Sequence, residues 1–128
     1  MPKILVVADT SWVTNDVHAA LGLPGFEMHD HSDPRTLIEA TAEFEPDLAI
    51  IDLQVAAMGG MAMARALKES AYSSGSGELP VILLLDRSAD AFLAKRAAAD
   101  GWLVKPFTAA DLRDAVAAVW TGEPAPRA

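Results

Sequence analysis

A doubly wound α/β fold is what this sequence predicts, on three observations. Short strand-like runs recur five times, an amphipathic segment follows each, and these segments carry helix start and stop signals. Lys3 to Ala8, Asp47 to Ile51, Val81 to Leu85 and Trp102 to Val104 are apolar almost throughout, as parallel strands covered on both faces should be. Phe26-Glu27-Met28-His29 alternates instead, which suits a strand at the sheet edge.

The helices follow in order. Val13, Val17 and Leu21 recur at helical spacing until Gly22 and Pro24 stop them. Asp33-Pro34 offers an N-cap with proline at the first helical position, Arg35 and Glu39 form an i,i+4 pair, and Pro46 closes the segment. A third helix runs from Gly60 to about Tyr72, a serine and glycine connector follows, and a fourth helix spans Ser88 to Ala99. Thr108 and Asp111 make a capping-box variant for the fifth, which carries Leu112, Val116 and Val119 on one side. Right-handed crossovers then favour a flavodoxin-like five-stranded parallel sheet of order 2-1-3-4-5 with five helices. The expected domain is 1–121, with a disordered tail over 122–128.

A chain of 128 residues and 13.5 kDa has room for one domain. With 52% apolar and 22% charged residues, disorder is excluded. No apolar run approaches the roughly 18 to 20 residues of a bilayer span, and no signal-peptide pattern opens the chain, so a cytoplasmic location is expected and no membrane contact. Zero cysteines exclude disulfides and thiolate chemistry. The net charge is −8, and residues 1–60 hold two bases against ten acids, so no nucleic-acid partner is expected.

In a sheet of this order the ligand site lies outside the carboxyl ends of the strands. Strand 1 ends in Val7-Ala8-Asp9, strand 3 in Ile51-Asp52, strand 4 in Leu85-Asp86 and strand 5 in Val104-Lys105-Pro106. Three carboxylates and one ammonium would then share a crevice with a formal deficit of −2. Carboxylates that close repel unless a proton, an ammonium or a cation compensates, and oxygen ligands of this kind suit Mg²⁺. Such equipment fits phosphoryl transfer onto an aspartate.

Ile4-Leu5-Val6-Val7 before an acid, Pro46-Asp47-Leu48-Ala49-Ile50-Ile51-Asp52-Leu53, Met58 with Gly60, Pro80-Val81-Ile82 and Ala99-Asp100-Gly101-Trp102-Leu103-Val104-Lys105-Pro106-Phe107 together resemble a response-regulator receiver domain of two-component signalling. The resemblance implies a phosphoprotein and not an enzyme. Asp52 would accept a phosphoryl group from a histidine kinase or a histidine phosphotransfer protein, in a simple pair or a phosphorelay. Asp9, Asp52 and the backbone carbonyl of Gln54 would hold Mg²⁺, Lys105 would contact a phosphoryl oxygen, and the Lys105–Pro106 peptide would be cis. Signalling would pass by protein contact to an unknown effector, from a stand-alone receiver with a homodimer among its states. Trp12 and Phe107 would lie on the partner surface, with Trp12 either an exposed anchor or tucked against Phe107.

The chain departs from the family pattern in several places. Ala8 stands where a second acid is usual, which weakens the expected Mg²⁺ site. Leu85 stands where a threonine or serine hydroxyl normally meets the phosphoryl group, a charge-assisted contact worth about 1.5 to 3 kcal/mol. Asp86 replaces a small residue; it would either repel a phosphodonor or replace the missing charge near the metal. Trp102 is a larger switch aromatic than usual. Ala56 and Gly59 stand where Pro and Asp are favoured, which loosens the loop after Asp52. These departures make the chain an atypical receiver, with a pseudo-receiver that takes no phosphate as the alternative. A haloacid-dehalogenase-like phosphatase also uses an aspartate nucleophile, but needs a second Asp where Ser11 stands.

Three further features carry weaker readings. His29, Asp30, His31 and Asp33 include ordinary zinc ligands but read more simply as a solvated edge. Trp120 and Trp102 are expected on a face formed by the fourth helix, fifth strand and fifth helix, with burial under a helix end as the simpler reading for Trp120. Met58, Met61 and Met63 read as core gap-fillers.

Overall fold

The computed structural model describes residues 2–22, 26–54, 59–73 and 79–121. The expectations for Ala56, Met58, the connector after Ser73 and the tail 122–128 fall outside those residues. Five strands and five helices alternate as β1 (Lys3–Val7), α1 (Ser11–Leu21), β2 (Glu27–His31), α2 (Leu37–Phe44), β3 (Leu48–Asp52), α3 (Gly60–Ser73), β4 (Val81–Leu85), α4 (Ala91–Arg96), β5 (Gly101–Val104) and α5 (Ala109–Thr121). The sheet is parallel, in the order β2-β1-β3-β4-β5.

Period-2 alternation sends each strand's side chains to two separate cores. Ile4, Val6, Leu48, Ile50, Ile82, Leu84 and Leu103 meet Val13, Val17, Leu21, Leu112 and Val116 of α1 and α5. Leu5, Val7, Ala49, Ile51, Val81, Leu83 and Leu85 meet Leu37, Met63, Leu67 and Ala94 of α2, α3 and α4. Met63 is fully buried there, as a gap-filler should be.

Local chemistry sets the ends of the elements. The capping box at α5 is reciprocal: Asp111 N–H donates to Thr108 Oγ1 at 3.0 Å, and Thr108 N–H donates to Asp111 Oδ2 at 3.2 Å. Asp33 accepts from Arg35 N–H at 2.9 Å, but a 3-10 turn over Pro34–Thr36 intervenes before α2 begins at Leu37. The Arg35 guanidinium turns back to Asp33, with Nε at 3.3 Å from Oδ1, instead of forward to Glu39. At that turn Asp33 is the nearer carboxylate. The edge strand β2 extends to His31, two residues beyond the alternating stretch, because Val7 pairs with His31 and Ala8 N–H adds a further bond to His31 O at 3.2 Å.

Trp120 does not share a face with Trp102. It stacks on Phe26 with ring centroids 5.8 Å apart, and its Nε1 donates to Asp47 O at 3.5 Å. A crossover helix runs back along the strands, so the last turn of α5 returns to their starting edge.

The fourth helix stops at Arg96, short of the expected Ala99, because Ala98 takes a left-handed φ of 61°. Its N–H bonds Lys95 O at 3.1 Å, and Ala99 N–H bonds Ala94 O at 3.0 Å. A Cβ in that conformation costs about 1 to 2 kcal/mol. Ala98→Gly is therefore expected to stabilise the fold by about 0.5 to 1 kcal/mol after glycine's larger unfolded-state entropy is subtracted. A urea midpoint no higher than wild type at unchanged slope would contradict it.

Candidate functional site

The carboxyl ends of β1, β3, β4 and β5 gather at the topological switch point, where the strand order reverses beside β1. Asp52 is the last residue of β3 and is 1% exposed. Its even-numbered position puts it on the α1 and α5 side of the sheet, in line with Leu48 and Ile50. Lys105 leaves β5 on the same side, in line with Leu103. β3 and β5 are not neighbours; β4 lies between them, so Lys105 must bridge about 9.5 Å, twice the strand spacing. A long, flexible cation is what that gap requires. Backbone bonds fix both ends: Leu53 N–H to Leu84 O at 2.9 Å and Lys105 N–H to Leu85 O at 2.7 Å.

The reach is completed. Lys105 Nζ donates to Asp52 Oδ1 at 2.6 Å, and its side chain is only 7% exposed. Asp86 Oδ1 lies 3.0 Å from the same ammonium, and the Trp12 ring centroid is 5.7 Å away. Burial alone would lower the Lys105 pKa, but hydrogen bonds and charges from Asp52 and Asp86 outweigh it and hold the ammonium above its ordinary 10.5. The backbone N–H of Gln54 also donates to Asp52 Oδ1, at 3.2 Å.

Asp9 emerges two residues past β1, the strand hydrogen-bonded to β3, and is exposed. Its Oδ1 accepts a long contact of 3.5 Å from Thr10 Oγ1. Ala8 is buried and joins the α1 and α5 core, so an apolar contact fills the place of a second acid. Among the described residues, the oxygen donors at these strand ends are the carboxylates of Asp9, Asp52 and Asp86, with the backbone at Gln54. No group of three or more metal-ligating side chains occurs among the described residues. A hard ion that keeps most of its waters and takes one or two protein carboxylates fits that set.

Leu85 and Trp102 lie on the opposite side of the sheet. Leu85 is fully buried in the α3 and α4 core, and Trp102 packs against that core with Lys95 Nζ 5.9 Å from its ring. Phe107 packs against the α1 and α5 core, while Trp12 is 49% exposed. The Lys105–Pro106 peptide is cis. On the β2 edge His31 Nε2 bonds Asp33 O at 2.9 Å, and Asp30 Oδ1 lies 2.7 Å from Nε2 of His18 on α1.

With this geometry in place, comparison with known proteins is decisive. Residues 4–117 match the response regulator receiver domain family. The chain belongs to that family. The Mycobacterium tuberculosis transcriptional regulatory protein PrrA is 32% identical over 113 residues, 87% of this chain and 46% of PrrA. The regulatory protein AtoC of Escherichia coli is 33% identical over 107 residues, 82% of this chain and 22% of AtoC. The receiver thus spans less than half the length of either regulator. Among solved structures, Vibrio cholerae chemotaxis protein CheY4 superposes with a TM-score of 0.79 at 26% identity, covering 93% of this chain and 98% of that one. A receiver domain protein from Clostridium thermocellum gives 0.80 at 26% identity, covering 95% and 96%. Receiver domains are signalling domains of two-component systems.

Two features of this receiver's site escape a reading of residue types. Trp12 covers Lys105, a contact that needs α1 and β5 to be placed first. Gly60 opens α3 against the end of β3, where a Cβ would clash with Asp52 O and meet Leu53 Cα at 2.8 Å. Both atoms are backbone and have little room to move.

Two outcomes follow. Gly60→Ala is expected to cost about 1 to 3 kcal/mol by pushing α3 off β3, the range for overfilling a tight contact; an unchanged urea midpoint would refute the close approach. Lys105→Gln is expected to destabilise by about 3 kcal/mol at neutral pH, the low end for a buried pair stripped of one partner. Because the folded-state pKa is raised, that stabilisation is complete below 10.5 and is lost as pH climbs through the higher folded value, so wild type and variant should converge there. A gap that stays constant up to and beyond 10.5 would show that the ammonium contributes nothing.

Proposed function

We propose that Asp52 is the phosphoacceptor of this receiver, taking a phosphoryl group from a phosphohistidine on a histidine kinase or phosphotransfer protein. The observation that carries this reading is the buried Asp52 held by Lys105 at 2.6 Å at the switch point of the sheet. The contacts from Lys105 and Gln54 both fall on Asp52 Oδ1, so the attack is assigned to Oδ2. A new Oδ2–P bond forms as the histidine N–P bond breaks, and the imidazole leaves with the electron pair and takes up a proton. Asp9, Asp52 and the Gln54 carbonyl are assigned to Mg²⁺, which when bound offsets negative charge on the phosphoryl oxygens. Lys105 is assigned to one phosphoryl oxygen.

The exposed Trp12 beside the site, with Phe107, is assigned to the docking surface of the phosphodonor. Output is assigned to contact with an effector protein or a second copy of this chain. No helix among the described residues is long and apolar enough to cross a membrane.

A pseudo-receiver, taking no phosphate, has its own support. Ala8 is buried where a metal-ligating acid is usual, and Leu85 is fully buried on the far side of the sheet from Asp52. Incubation with acetyl phosphate and Mg²⁺ separates the readings. Intact mass should show one phospho-adduct on wild type and none on Asp52→Asn. No adduct on wild type would leave only the pseudo-receiver, and an adduct that survives Asp52→Asn would place the acceptor elsewhere.

A further inference from the structure

The ammonium of Lys105 has three N–H donors, and the structure engages it with two carboxylates under one aromatic face. Asp86 owes its part to strand periodicity. Ile82 and Leu84 point to the α1 and α5 side of β4, and Asp86, the next even-numbered residue, meets Lys105 on that same side as it leaves the strand. β4 lies between β3 and β5, so a group on its tip stands in the path that Lys105 follows to Asp52. The carboxylate is 39% exposed, so it keeps much of its hydration beside the lysine, without the burial that Asp52 undergoes.

We propose that Asp86 is a positioning residue that competes with the phosphoryl group for Lys105 and so slows phosphorylation of Asp52. This inference rests on Asp52 being the phosphoacceptor. A phosphoryl group on Asp52 needs the lysine that Asp86 also holds, and it brings added negative charge up to a fixed carboxylate. Both effects act through Lys105 and the charge of Asp86, not through the shape of the loop after β4.

The expected result is a rate of adduct formation with acetyl phosphate and Mg²⁺ about fivefold higher in Asp86→Asn than in wild type, the scale of one partly exposed charge contact. Asp86→Ala should be at least as fast, and Asp86→Glu, which restores the charge, should return towards the wild-type rate. The advantage of Asp86→Asn should shrink as ionic strength rises, because a partly exposed charge is screened. A phosphate-free measurement accompanies these rates: a double-mutant cycle of Asp86→Asn with Lys105→Gln, read by urea unfolding, should give a coupling that favours the native pair. Equal, non-zero rates in wild type and Asp86→Asn would overturn this inference and leave the phosphoacceptor assignment standing, and a zero coupling would do the same. No adduct on wild type or any Asp86 variant would overturn the phosphoacceptor assignment, and this inference with it.

Discussion

A carboxylate that is 1% exposed at the end of a parallel strand demands a cation, and Lys105 supplies it. Moving an isolated carboxylate out of water costs several kcal/mol, which the ammonium beside it offsets. Much else at this end of the molecule follows from that requirement. The cation must come from β5, two strand positions away, so β4 has to end early enough for a lysine to pass over it. Both side chains must also share one parity of the alternation, and the registers Asp52 with Leu84 and Leu84 with Leu103 bring the strand ends level.

The same alternation divides the chemistry from its readout. Asp52, Asp86 and Lys105 stand on the side of α1 and α5, whereas Leu85 and Trp102 stand on the side of α3 and α4. A hydroxyl at position 85 would offer a polar link from the tip of β4 to a phosphoryl group. Leucine offers none, and it is held in an apolar core where rotation outward would expose it to water. Trp102 is likewise tied, half-buried against that core with Lys95 near its ring. A change of charge at Asp52 therefore has few means of crossing to this side except through the backbone.

Strand order, helix number and the convergence of Asp52 with Lys105 were legible in the sequence because each rests on a local signal: an apolar run, a cap, a first charge after a buried stretch. What was not legible depends on reach. Arg35 has Glu39 four residues on at helical spacing and Asp33 two residues back, and only the turn before α2 decides for Asp33. The place of Trp120 stayed open between a face shared with Trp102 and a helix end, because one turn of a helix decides which neighbours its side chain meets; the end of α5 brings it to Phe26. Gly60 read as a weak helix start, whereas its lack of a side chain is what lets α3 approach Asp52. Whether Asp86 repels a phosphodonor or replaces charge near a metal stayed open for the same reason, and the structure sets its carboxylate 3.0 Å from Lys105.

The net charge of the site looks ordinary only when its groups are counted and not placed. Receivers usually carry two acids after β1 and one after β3 against one lysine, and this chain also has three carboxylates against Lys105. One of them has moved. Ala8 removes a carboxylate from the side where a hard cation would be held, and Asp86 adds one beside the ammonium. The deficit of −2 is unchanged, but less of it is offered to a divalent ion and more is neutralised internally. What the structure shows directly is the second half of that exchange: Asp86 ties Lys105 into a second ion pair beside the one with Asp52.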